Sequence, residues 1–279
     1  MLGKLLKYEW KSSGKITLLL NAYIILITIF GMIMLQSGFF DELIEGSQAD
    51  REISAPLIIG SLLVSAYFIS MIAVAIAVTL FQVFRFYKNF YTDEGYLMHT
   101  LPVSSTQLIL SKGLVAFGVL TLSSIILMIS GFSIVFRAAP AAERPNLQIV
   151  FQEMIPTLAR EFGWPTHIFI IYLILATILS GIHAILSFYA ALSIGQRFAK
   201  HKIIGSIIAY TILNMVEQTI SIALMFACGF HRLMISGQNT DVAAFSGSIM
   251  IVSIAVTLVL IVAYWFITDF TMRKHLNLE

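Results

Sequence analysis

The chain has 279 residues, 58% of them hydrophobic and only 11% charged, with a formal net charge of +2. Soluble domains carry about a quarter charged residues, so this deficit excludes a soluble globular protein, and so small a net charge gives no reason to expect a nucleic-acid partner. One cysteine, Cys228, excludes an intrachain disulfide and a cysteine-rich metal site; it reads as a small buried apolar residue. Strands of a membrane barrel alternate apolar and polar residues over about ten positions. Here the apolar runs are longer and unbroken, so the expected fold is an all-α integral membrane protein forming a single membrane domain over residues 1–279.

Residues 1–14 place Leu2, Leu5 and Leu6 on one helical face, with Trp10 near it and Lys4, Lys7 and Lys11 largely opposite. A basic amphipathic helix of this kind suits the membrane interface beside anionic lipid, and it is read as a retained elbow entering the first span rather than a cleaved leader. Six spans follow, at about 16–35, 56–84, 106–136, 167–192, 203–230 and 247–267. A bilayer needs about 20 apolar residues, so the second and third are long enough to tilt or project. An acidic loop with Asp41, Glu42, Glu45, Asp50 and Glu52 joins spans one and two. The largest loop, 137–165, carries Ile149, Val150, Met154, Leu158 and Phe162 at helical spacing, with Pro156 among them. A broken interfacial helix is expected there, with Trp164 as a headgroup anchor.

Lysine and arginine set the orientation. Lys4, Lys7, Lys11, Lys15, Arg85, Lys88, Lys112, Arg197, Lys200, Lys202, Arg273 and Lys274 fall on the side of the N-terminus. Only Arg51, Arg137, Arg144, Arg160 and Arg232 fall on the other. Both termini and the loop between spans two and three are therefore expected to be cytoplasmic, in a multi-pass protein of a cell membrane.

That loop, within Phe84–Lys112, is a polar island between two apolar runs. It reads Asp93-Glu94-Gly95-Tyr96-Leu97-Met98-His99-Thr100-Leu101-Pro102-Val103-Ser104 and closes on Ser111-Lys112. Pro102 stops a short helix, and Ser104 and Ser105 can cap the next one. Tyr96, Leu97 and Leu101 form an apolar patch rimmed by Asp93 and Glu94, the form of a protein-contact surface. The aromatic residues just before it, Phe84, Phe86, Tyr87, Phe90 and Tyr91, read as an interfacial belt, with some able to pack beneath the short helix.

This segment resembles the cytoplasmic loop of ABC-2-type transporter permeases, in which an acidic-Gly-apolar segment precedes Leu-Pro-(Val/Ile)-Ser and a lysine opens the next span. The resemblance implies a permease that works as a dimer with a second copy or a homologous permease. It implies an elbow helix and, between spans two and three, a coupling helix, here at about residues 91–101. Separate ATPase subunits, holding the ATP and Mg, would move that helix and switch a cavity from inward- to outward-facing. Asp93 and Glu94 would contact the ATPase, and Gly95 would permit close approach. The family exports lipids, glycans, drugs or peptides, so the implied substrate is hydrophobic or amphipathic. The longest loop here follows span three, whereas several relatives carry theirs before the last span.

The absences agree with a non-enzymatic reading. There is no GxxxxGK[ST] phosphate loop, no HExxH zinc motif and no GxSxG nucleophile elbow. The six histidines are scattered. No catalytic, cofactor or metal residue is therefore assigned, and lipid surrounds the spans.

Span five holds the most unusual residue. Glu217 lies near its middle, with Asn214, Gln218 and Ser221 at helical offsets and Tyr210 and Thr211 extending the stripe. A carboxylate at this depth is costly unless protonated or paired. The stripe is read as a substrate pathway or dimer interface, or as interhelical hydrogen-bond glue. His183 in span four, with Ser180 and Ser187 at helical spacing, is a weaker pathway candidate. Two other function classes remain open on these residues: a proton-coupled secondary transporter using Glu217, and a non-transporting membrane scaffold or immunity protein.

Overall fold

The computed structural model describes residues 2–36, 55–92, 94–95, 98, 100, 103–139, 144–198, 201–230 and 239–274. Seven helices make up these residues: α1 (Leu2–Gln36), α2 (Ala55–Tyr91), α3 (Ser105–Ala138), α4 (Arg144–Glu161), α5 (Thr166–Gly195), α6 (Lys202–Ala227) and α7 (Asn239–Lys274). No strand occurs among the described residues. All but α4 are long and apolar enough to cross a membrane, so the chain has the character of a multi-pass membrane protein. With every backbone bond satisfied inside its own segment, a helix is the form such apolar runs take in lipid.

The helices overrun the apolar runs that announce them. α2 has 37 residues, about 55 Å at 1.5 Å per residue, against a hydrocarbon core of about 30 Å. α1 runs unbroken through the expected elbow boundary at residues 14–16. Gly14 lowers helix propensity by only about 1 kcal/mol relative to alanine, and no proline stands there to remove a bond.

α4 differs from the broken helix expected for residues 137–165. It is one continuous helix of 18 residues with Pro156 inside it. A proline removes a single backbone bond, and the turns on either side carry the helix through. Gly163 ends the segment. Its φ of 69° is left-handed; Gly163 N–H donates to Arg160 O (3.0 Å) and Trp164 N–H to Ala159 O (2.8 Å). This is the paired closure for which glycine is the favoured residue. Phe162 then stacks on buried Phe169, and Trp164 meets Tyr172 edge-on.

The chain divides into two compact units. One comprises residues 7–82 and 118–149. Its interior carries a polar seam: Ser13, Thr17, Asn21 and Thr28 lie buried along one face of α1. Gln82 Nε2 donates to Ser13 Oγ (2.9 Å), Asn21 Nδ2 donates to Ser123 Oγ (3.0 Å), and the Thr28 and Tyr67 hydroxyls share a hydrogen bond (3.0 Å). Gly118 lets Trp10 lie against α3, since a Cβ there would meet the indole at 3.1 Å. Small residues admit such close approach in membrane bundles. Tyr23, Phe30, Leu63, Tyr67 and Ile134 help line an apolar cavity of about 310 Å3 in this unit.

The other unit comprises residues 1–6, 83–117 and 150–279. Here α5 is the spine. α6 and α7 each pack along it and barely touch each other. Phe86, Phe90 and Tyr91 are fully buried rather than forming the interfacial belt expected of them. Phe86 lies face to face with Tyr189 of α5 (3.6 Å between centroids), and the Tyr91 hydroxyl is bonded to Ser193 Oγ (2.7 Å). An aromatic ring near a span end serves headgroup or core equally well, and here the adjacent α5 takes it. Phe84 alone of the buried trio's neighbours on the run 83–86 remains an exposed large hydrophobic residue.

Candidate functional site

One polar side chain from each of α5, α6 and α7 meets the others inside the spanning segments. α6 is the least apolar of the six spanning helices. Its Glu217 Oε1 lies 3.1 Å from His183 Nε2 of α5 and accepts a hydrogen bond from the Tyr264 hydroxyl of α7. The imidazole and phenol rings adjoin, with centroids 5.5 Å apart. His183 and Glu217 retain side-chain exposures of 20% and 18%, so the cluster is open on one side.

Energetics favours this convergence. An acidic residue at the centre of a spanning helix costs about 2.5–3.5 kcal/mol on insertion scales. Hydrogen bonds to a charged group return about 1.5–3 kcal/mol each, so two donors on one oxygen offset the cost. Oε2 makes no hydrogen bond to any described residue.

The structure unites His183 with Glu217 and leaves the rest of the stripe outside the cluster. Asn214 Nδ2 donates back to Tyr210 O (2.9 Å) in its own helix. Gln218 and Ser221 are exposed. Ser180 and Ser187 donate to Thr177 O and Ala184 O of their own helix. Tyr210 stacks on Phe188 of α5, 4.7 Å apart and 6° from parallel. Tyr264 is the partner that sequence reasoning missed. It sits between Ala263 and Trp265 in an apolar run, and only its heptad offset from Thr257 and its turn offset from Thr268 hinted at a polar face on α7.

No family model, curated protein or solved structure matches this chain. Its function therefore rests on its own residues, and a second polar site bears on it.

That site lies at the junction of α2 and α3 with the loop between them. Lys88 Nζ pairs with Glu94 Oε1 at 2.8 Å, both side chains about half exposed (53% and 50%). Asn89, its amide oriented to satisfy both neighbours, donates to Glu94 Oε2 (3.0 Å) and accepts from Lys112 Nζ (2.6 Å). Lys112 is buried, with its ammonium 5.2 Å above the centre of the Phe90 ring. Gly95 N–H donates to Thr92 O (2.7 Å), and Glu94, Gly95 and Met98 have helical backbone. Ser104 caps α3 as expected, its hydroxyl accepting from Gln107 N–H (3.3 Å). Ser105 instead donates to Asp269 Oδ1 of α7 (2.8 Å), and Arg273 pairs with Asp269 (2.9 Å) while reaching Ser105 and Thr106. Of the expected coupling residues, Asp93, Tyr96, Leu97 and Leu101 lie outside the described residues. Among the described residues, no group of His, Cys, Asp or Glu is placed to hold a metal.

Proposed function

We propose that this chain is the membrane-spanning permease subunit of an ATP-driven exporter of the ABC-2 type, moving a hydrophobic or amphipathic substrate across the cytoplasmic membrane. Its N-terminal segment is the elbow, both termini lie inside, and residues 91–101 form the coupling helix on which a separate ATPase subunit acts. The observation that carries this reading is the bracing of Glu94, at the start of the loop, by a chain of contacts that reaches both flanking helices. Glu94 is held by Lys88 and Asn89 from α2, and Asn89 in turn by Lys112 from α3. A push on Glu94 held in this way passes to two membrane helices instead of being absorbed locally.

The exposed polar residues of α6 support a second permease copy. Thr211, Gln218, Thr219 and Ser221 are exposed within a membrane-spanning helix, and polar side chains in that position are commonly covered by another helix. ATP hydrolysis belongs to the partner, since this sequence has no phosphate loop.

The test is purification from the native membrane with whatever ATPase accompanies the chain, then ATP-driven extrusion in vesicles. Glu94→Arg sets a third cation beside Lys88 and Lys112. It should insert normally but lose ATPase association or transport. Wild-type association and transport in this variant, or hydrolysis by the pure chain alone, would overturn the reading. A second reading, proton-coupled transport, is favoured by the His183–Glu217–Tyr264 cluster; transport that persists without ATP and stops when the proton gradient collapses would select it.

A further inference from the structure

We propose that the open oxygen of Glu217, in the groove between α6 and α7, receives the ammonium group of a cationic amphiphile. The inference rests on the permease reading, whose substrate class it narrows.

The groove follows from packing. α6 and α7 both lie along α5 and hardly meet, so α5 forms a floor between two walls. His183 stands on that floor, Glu217 on one wall and Tyr264 on the other. Both donors converge on Oε1, which fixes the carboxylate and leaves Oε2 without a hydrogen bond among the described residues. A carboxylate offers about four acceptor positions, so the unfilled ones are on the second oxygen.

Charge then points to the ligand. No lysine or arginine occurs in α6 after Lys202 or in α7 before Arg273. Lys202 is fifteen positions from Glu217, about 22 Å along the helix, and α5 contains neither residue type. Among the described residues the only cation-capable side chain in contact with Glu217 is His183, already committed to Oε1. An ammonium supplies what the site lacks: a positive charge and three donors. The adjoining Tyr264 and His183 rings, with the stacked Tyr210–Phe188 pair farther along the same helices, add aromatic faces that attract cations. Apolar surface for an alkyl tail begins one turn along α6, where Ile220 is exposed. Glu217 lies well inside the span, away from the headgroup layer, so the depth suits a substrate in transit rather than the ammonium of a resident lipid.

The test uses the full chain in phosphatidylcholine nanodiscs, with dodecylammonium as probe, dodecanol and dodecyl sulfate as controls, and empty nanodiscs as the partition background. Saturable dodecylammonium binding should exceed dodecanol binding about tenfold, a 1.4 kcal/mol preference. Glu217→Gln should abolish the preference while remaining monodisperse. Thr219→Val, on an exposed face of α6 where the hydroxyl donates only to Met215 O of its own helix, should keep it; equal loss in the two variants would show a general disturbance of α6 and overturn the assignment. A second measurement needs no variant: dicyclohexylcarbodiimide should label Glu217 in the wild type, and dodecylammonium but not dodecanol should protect it. Absence of the preference in wild type, its survival in folded Glu217→Gln, or unprotected labelling would overturn the proposal. Displacement of the probe by added phosphatidylethanolamine would assign the site to lipid and overturn the substrate assignment. None of these measurements involves an ATPase, so failure of the permease reading and failure of the ammonium site register separately.

Discussion

Phe86 and Tyr189 lie face to face, their centroids 3.6 Å apart and their planes 10° from parallel. Both are almost completely buried. The stack ties the end of α2 that leads into the α2–α3 loop directly to the α5 spine. Removing a buried phenylalanine side chain costs about 3–5 kcal/mol. We therefore expect Phe86→Ala to lower the unfolding midpoint in mixed micelles, with Phe86→Leu recovering much of the loss. A double-mutant cycle with Tyr189→Leu should return a coupling of about 0.5–1.5 kcal/mol. Additive effects would show that the ring geometry contributes nothing beyond burial.

A second expectation concerns the meeting of α5 and α6. A Cβ on Gly195 would overlap the backbone of Ser206, which cannot swing away as a side chain can. A Cβ on Gly113 would instead rest at 4.0 Å from the Tyr189 ring, ordinary contact. Overpacking costs about 1–3 kcal/mol and sometimes more, so Gly195→Ala should fall at or above that range while Gly113→Ala stays near neutral. Fluorescence-detected size exclusion across a temperature series would rank the two variants. Equal midpoints would contradict the close approach.

The polar seam yields a third. Asn21 Oδ1 is buried with no hydrogen-bond partner among the described residues, although Nδ2 reaches Ser123. An unsatisfied buried polar atom costs about 1–3 kcal/mol, while an average interhelical hydrogen bond in a membrane returns only about 0.6 kcal/mol. Asn21→Leu removes both and should be near neutral or stabilising. Ser123→Ala strands the amide at both ends and should be the more destabilising change. Reversible unfolding of the two variants checks the sign, and the reverse order would mean that the seam is a net source of stability.

Lysine at position 88 offers a fourth. Its pair with Glu94 is half exposed, and pairs of this kind contribute about 0–1 kcal/mol. Lys88→Ala should leave the unfolding midpoint within that margin, and on the proposed permease function its transport deficit should be milder than that of Glu94→Arg because Asn89 still holds the carboxylate. A thermal scan beside a vesicle assay separates the two effects.

Six spanning helices were legible because continuous apolar runs admit few alternatives in lipid. Their ends were not, since polar residues such as Lys4 and Lys88 extend a helix without altering its apolar run. Pro156 signals a break, yet local bonding carries α4 past it. Glu217 announced itself by the cost of a carboxylate among apolar neighbours, and the paired His183 by its own polarity. Tyr264 did not: 47 positions separate it from Glu217, and nothing local distinguishes a tyrosine that donates across helices from one that faces headgroups. The seam of Ser13, Thr17, Asn21 and Thr28 has helical spacing, but in the sequence it is overshadowed by the leucine and lysine pattern of the same segment.

That seam also bears on how the protein reaches the membrane. As α1 leaves the ribosome, Tyr67, Gln82 and Ser123, the groups that will satisfy its face, have not been synthesised. Thr17 and Thr28 donate to carbonyls of α1 itself, but α1 enters lipid with Ser13 and Asn21 still lacking the side chains they will meet, and the seam is complete only when the midpoint of α3 has followed. Biogenesis of this part of the chain is thus a three-helix event: a chain halted after α2 should be extracted from the bilayer far more readily than one halted after α3.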